Sequence, residues 1–116
     1  MKCIQIVAKQ DEIVIKENRR LQIISYNDII SVIYNSPYVT INTLKNRILL
    51  LMPLSAITRY LPGYFVLCNR STIVNLMQVK SFDKTTGIIC LRNGATFTVS
   101  FRKRQNVELM LTTIAM

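Results

Sequence analysis

Chemistry in this chain has few places to come from. Its 116 residues include no histidine. A general base working near neutral pH would therefore have to be a strongly perturbed carboxylate, lysine or cysteine. The six carboxylates show no paired spacing, and glycine occurs only at Gly63, Gly87 and Gly94. No Walker-type or G-x-G-x-x-G phosphate loop can be built from these. Cys3, Cys68 and Cys90 are far apart, odd in number and form no C-x-x-C pair. Without histidine they cannot readily assemble a zinc site. They read as reduced thiols, at least one of them buried as a small hydrophobe. No enzyme activity, cofactor or metal is expected.

Positive charge is the resource the chain does have. Fifteen Lys and Arg face six Asp and Glu, a net +9, and residues 59–116 carry +6 of it. Such an excess suits a polyanion. Two places concentrate the signal. Ser100 is a natural N-cap for a final helix, yet Arg102, Lys103 and Arg104 follow it where the positive end of the helix dipole favours acids. A bound phosphate would resolve that conflict, because free backbone N–H groups and cationic side chains would converge on one anion. The alternative is that the three side chains splay into water. The second place is Asn69-Arg70, between two β-prone runs. Asn suits adenine and Arg suits guanine in a major groove, although an Asn-Arg-Ser turn is also an ordinary surface feature.

The elements that must carry these residues are mostly short strands. Glu12 to Lys16 and Arg20 to Ile24 flank a turn at residues 17–19, which predicts a hairpin. Ile29 to Tyr34 is apolar and β-branched. Tyr38 to Thr43 alternates, with Val39, Ile41 and Thr43 on one face. Arg47 to Met52, Tyr64 to Leu67, Thr72 to Leu76 and Val79 to Phe82 also read as strands. Gly87 to Arg92 and Ala95 to Ser100 are joined by Asn93-Gly94, a strong hairpin signal because both residues tolerate positive φ. Pro53 to Leu61 is a helix candidate, ended by Pro62-Gly63. Arg102 to Ile114 has Val107, Met110, Leu111 and Ile114 at helical spacing. The fold class is mainly β, with a short mid-chain helix and a C-terminal helix. No repeat, linker or low-complexity stretch divides the chain, so residues 1–116 read as a single domain. The longest apolar run, Ile48 to Met52, is far short of a membrane span, and the N-terminal apolar stretch is too short and interrupted for a leader. A soluble, cytoplasmic protein with no membrane partner is expected.

The run Phe65, Asn69-Arg70-Ser71, Ile73-Val74-Asn75-Leu76 resembles the central signature of the LytTR family of bacterial DNA-binding domains, which usually shows an aromatic, His-Arg-Ser, an apolar pair and Asn. Gly94 and Val99-Ser100 resemble the family's glycine, valine-serine-arginine ending. Asp28-Ile29-Ile30 followed by Tyr38 resembles its upstream segment. The resemblance covers about residues 11–114. It implies an elongated arrangement of about ten strands that binds double-stranded DNA as a response-regulator output domain. Loops would enter successive major grooves of a direct-repeat site, and a second copy on the neighbouring repeat would be a partner.

By position, the implied contacts are Tyr38, Asn69, Arg70, Ser100, Arg102, Lys103 and Arg104. Asn69 and Arg70 would lie near base edges, Arg102 would contact a base or a phosphate, and Lys103 and Arg104 would contact phosphates, which position without specifying. Two residues depart from the pattern. Asn69 replaces the usual His, and Phe101 stands where Arg commonly follows the serine, with Arg102 one place later. Family members usually carry a receiver or membrane domain ahead of this module. Met1 and the residues before the match favour a natural start over an excised fragment. The competing reading is a protein-interaction module of the same fold that has lost DNA binding and antagonises a larger regulator. Retained Arg70 and Arg102 argue against it. Single-strand or RNA binding would call for aromatics interleaved with basic residues, and the nine aromatics fall mostly at core-like positions.

Overall fold

Runs of β-branched and apolar residues, cut every few positions by Asn, Asp, Gly or Pro, build eleven strands in the computed structural model, which describes residues 4–113. The strands are β1 (Ile4–Ala8), β2 (Glu12–Glu17), β3 (Arg20–Ser25), β4 (Ile29–Asn35), β5 (Tyr38–Thr43), β6 (Arg47–Leu51), β7 (Phe65–Asn69), β8 (Thr72–Asn75), β9 (Val79–Asp83), β10 (Ile88–Leu91) and β11 (Thr96–Thr98). Two helices complete the set, α1 (Leu54–Thr58) and α2 (Arg104–Thr113). The strands form three antiparallel sheets. A central one has the order β6-β5-β4-β8-β7, and β1-β2-β3 and β11-β10-β9 are the other two. The molecule measures 46 × 30 × 23 Å, elongated as the resemblance implies.

Alternation decides which core each strand feeds. On β4, Ile29 and Val32 enter a core shared with β2, β3, β5, β6 and α1, while Ile30 enters a second core that includes β7, β10 and α2. On β8, Ile73 and Val74 divide in the same way. The two middle strands are thus buried on both faces, which explains why they read as continuous apolar runs. Asn75 is fully buried between these layers. Its Nδ2 donates to the carbonyls of Tyr26 (3.2 Å) and Ile29 (2.9 Å), and its Oδ1 accepts from the Met77 amide. A buried amide is tolerated when its hydrogen bonds are made; here it locks the entry of β4 to the exit of β8.

Local expectations hold with instructive exceptions. The β2–β3 hairpin turns at Asn18, whose φ of 59° an asparagine accepts. Ile4–Ala8, which the sequence suggests only as too short for a leader, adds β1 to that sheet. The Asn93-Gly94 hairpin is a three-residue loop, closed by Leu91 N–H to Ala95 O. Only Gly94 has positive φ there, and Asn93 Oδ1 accepts from the Ala95 amide. The mid-chain helix is shorter than the expected 53–61. After Thr58 the chain tightens into i→i+3 bonds, and Tyr60 O is taken by the phenol of Tyr26 at 2.7 Å. The C-terminal helix carries buried Val107 and half-buried Met110 and Leu111, while Ile114 lies outside the described residues. Among the described residues no helix is long and apolar enough to cross a membrane.

Candidate nucleic-acid interface

The strand order places three connections side by side at one end of the central sheet. The β4–β5 hairpin turns at residues 36 and 37, with Asn35 opposite Tyr38. The β7–β8 hairpin turns at Arg70 and Ser71, and the Tyr34 amide donates to Ser71 O at 2.8 Å, tying it to the end of β4. The segment after β11 packs on the other side of β7, where the Ser100 amide donates to Cys68 O at 2.9 Å. With neighbouring strands about 4.8 Å apart, the row from first to third connection spans roughly 20 Å.

Each expected contact residue has a definite place in this row. Tyr38 is 43 % exposed and points away from buried Val39, beside Leu51 of the adjoining strand. Arg70 is exposed at the tip of its turn. Asn69 is engaged within the protein. Its Oδ1 accepts from the Ser71 amide (3.0 Å) and hydroxyl (3.2 Å), and its Nδ2 donates to Thr98 O at 2.9 Å. Its side chain both closes the turn and staples it to β11. The asparagine expected at a base edge thus spends most of its hydrogen-bonding capacity on presenting Arg70.

The junction at Ser100 also differs from expectation. Its hydroxyl does not cap the helix; it donates to Cys68 O at 3.2 Å. The chain enters a 3-10 turn over Phe101–Lys103, with Lys103 N–H on Ser100 O, before α2 begins at Arg104. Of the three consecutive cations, half-buried Arg104 is tied to the backbone. Its Nε donates to Val99 O (3.1 Å) and one terminal nitrogen to Thr85 O (2.9 Å), and its guanidinium stacks 5.3 Å from the Phe101 ring centre. Backbone carbonyls relieve part of the charge crowding at this helix start. Gly87, at φ +80°, faces that guanidinium directly, and a Cβ there would collide with it.

The remaining cations are available. Arg102 is exposed and Lys103 half-buried. Among the described residues, no carboxylate lies within ion-pair distance of Arg70, Arg102 or Lys103; the nearby Glu108 pairs with Lys84 at 3.1 Å. Cys68, beneath this surface, is fully buried. Burial pushes its thiol up to about 12 against an opposing pull from the Lys103 charge, so it is an inert filler and not a reactive group in the loop. Among the described residues no three His, Cys, Asp or Glu side chains gather into a metal-binding group. Composition and periodicity pass over Phe101; its signals in the sequence were its place where the resembled family commonly has Arg and its position directly before the cationic run.

The sequence matches the family model described as the LytTr DNA-binding domain over residues 19–112. The fold is similar to a solved LytTr DNA-binding domain from Bacillus cereus, taken from a protein described as a methyl-accepting/DNA response regulator. The TM-score is 0.71 at 17% sequence identity, covering 91% of this chain and 100% of that one. At that identity the likeness bears on the fold alone. No curated protein matches.

Proposed function

The chain belongs to the LytTR DNA-binding domain family, and on that premise we propose that residues 1–116 act as one sequence-specific double-stranded DNA-binding module of a cytoplasmic bacterial transcription regulator. The observation that carries the proposal is the row of three connections that exposes Tyr38, Arg70 and Arg102 at one end of the central sheet, backed by a net charge of +9. A row of roughly 20 Å faces about six base pairs at 3.4 Å each. That is about half of the ~34 Å between successive major grooves on one face of the duplex, so the outer side chains must reach beyond the row to enter both grooves, and a direct-repeat site would seat a second copy.

The roles divide by accessibility. Arg70 and Arg102 reach base edges. Lys103 contacts a phosphate. Tyr38 flanks the first groove, and Ser100 fixes the third connection to β7 through Cys68 O. Asn69 and Arg104 serve as supports for the turn and the basic loop. Most exposed apolar side chains lie away from Arg70 and Arg102, at Leu21 and Ile23 of the outer sheet and Leu49 of β6, while Leu51 adjoins Tyr38 and Phe101 stands beside Arg102. They do not replace the basic end, which favours DNA over the reading as an antagonist that has lost it.

The test is selection from a randomised duplex pool, followed by fluorescence anisotropy on the recovered site and a scrambled control. Recovery of a common motif, bound on the order of 1000-fold more tightly than the control, is the expected result for a specific regulator. Equal affinity for both duplexes would refute sequence-specific binding.

A further inference from the structure

Phe101 is 81 % exposed, the most exposed large apolar side chain among the described residues. It belongs to neither core, and its chain neighbours are Ser100 and Arg102. A phenyl ring left in water gains nothing for the free protein, since apolar surface favours removal from water. The ring is nevertheless held in place. The Arg104 guanidinium lies 5.3 Å from its centre and is itself fixed by Val99 O and Thr85 O. The 3-10 turn sets the backbone beneath it, with Lys103 N–H bonded to Ser100 O. Around this apolar tip stand Arg102, Lys103 and, across the Ser100–Cys68 link, the Arg70 turn.

The partner that fits must be anionic at the rim and apolar at the centre of the contact. A DNA major groove offers that pairing, with phosphates on its edges and the thymine 5-methyl group on its floor. We propose that Phe101 packs against the methyl group of a thymine and so selects T at one position of the bound site. The inference rests on the duplex-binding reading above and adds an apolar determinant to its cationic ones.

The experiment uses the site recovered from the randomised pool and measures anisotropy with the wild-type chain, Phe101→Ala and Phe101→Arg. Each thymine in turn is replaced by deoxyuridine, which removes the methyl group and keeps the base pair. Loss of one methyl contact should weaken wild-type binding about 3- to 10-fold at a single position. The same replacement should leave Phe101→Ala unaffected, and Phe101→Arg should shift the preference there from T towards G. Because the side chain is exposed, Phe101→Ala should melt as the wild type does. The inference is overturned if no deoxyuridine changes wild-type affinity, or if the loss persists undiminished in Phe101→Ala. Those results, with specific binding otherwise intact, would leave the DNA reading standing. A wild-type chain that binds no duplex would remove both.

Discussion

The Asn69 amide reaches back to Ser71 and across to Thr98, whereas Arg70 projects into solvent from the same turn, so truncating these neighbours should have different consequences. Arg70→Ala should cost about 1–3 kcal/mol of affinity for the preferred site and relax one base position, while leaving stability within about 0.5 kcal/mol. Asn69→Ala should lower stability by about 0.5–1.5 kcal/mol, because the turn loses its hydrogen bond to the part-buried Ser71 amide, while water can reach the exposed Thr98 carbonyl. It should also weaken binding to all sequences alike. Thermal melts and DNA titrations on both variants separate the two roles, and identical behaviour would show the division to be wrong. Cys68, one residue earlier, is buried with its thiol pushed up to about 12. Iodoacetamide at about pH 8 should leave it unmodified in the native protein and label it only on unfolding. Rapid native labelling would mean that the β7 end opens.

At the scale of elements, the basic loop depends on the β9–β10 turn beneath it. Gly87 supplies the positive φ, donates to Asp83 O at 2.7 Å and receives the Arg104 guanidinium against its bare Cα. Gly87→Ala should therefore act twice. Left-handed backbone for an alanine costs about 1–2 kcal/mol, and the added methyl displaces the guanidinium from Val99 O and Thr85 O. The expected outcome is a destabilised domain with several-fold weaker DNA binding, although residue 87 lies outside the proposed contact row. Circular-dichroism melts and anisotropy check this together. Wild-type affinity in that variant would show that Arg104 does not position the loop.

Two bulk properties follow for the whole molecule. If about six phosphates are neutralised, affinity should fall on the order of 1000-fold between about 50 and 200 mM salt, and Lys103→Ala should flatten the slope by about one unit. Binding that ignores salt would contradict a role for the +9 charge. The second property concerns pH. With no histidine, little titrates near neutrality. In the unfolded chain the Cys68 thiol ionises near its ordinary 9.0, but the fold holds the proton to about 12. Between those values the unfolded state binds fewer protons, so this contribution to stability is complete below about pH 9 and declines as pH rises. Buried Tyr26 and half-buried Tyr64, both raised chiefly by desolvation from 10.0, act in the same direction one unit later. The melting temperature should stay flat from about pH 6 to 8 and drop above about 9. Cys68→Ala should delay the onset. An unchanged onset would assign the alkaline loss to the tyrosines alone.

The amino-acid sequence by itself determined the strand and helix classes, because a period of two or of 3.6 in apolar residues is a local property. It also placed the turns at Asn18 and Gly94, where backbone conformation selects the residue type, and it placed the cationic run after Ser100. The signature around Asn69-Arg70 carried the family. It could not assign the partner of each polar side chain. Asn69 meets Thr98 twenty-nine positions away, and Asn75 meets Tyr26 forty-nine positions away. Such pairs depend on sheet order and register, which local patterns do not encode. Only the tertiary structure could decide that Asn69 and Arg104 are held by backbone groups, that Arg70 and Arg102 are exposed, and that the exposed Phe101 ring lies against Arg104. A side chain's chemistry is set by its composition, but its availability is set by which distant carbonyls and amides the fold brings within hydrogen-bond reach.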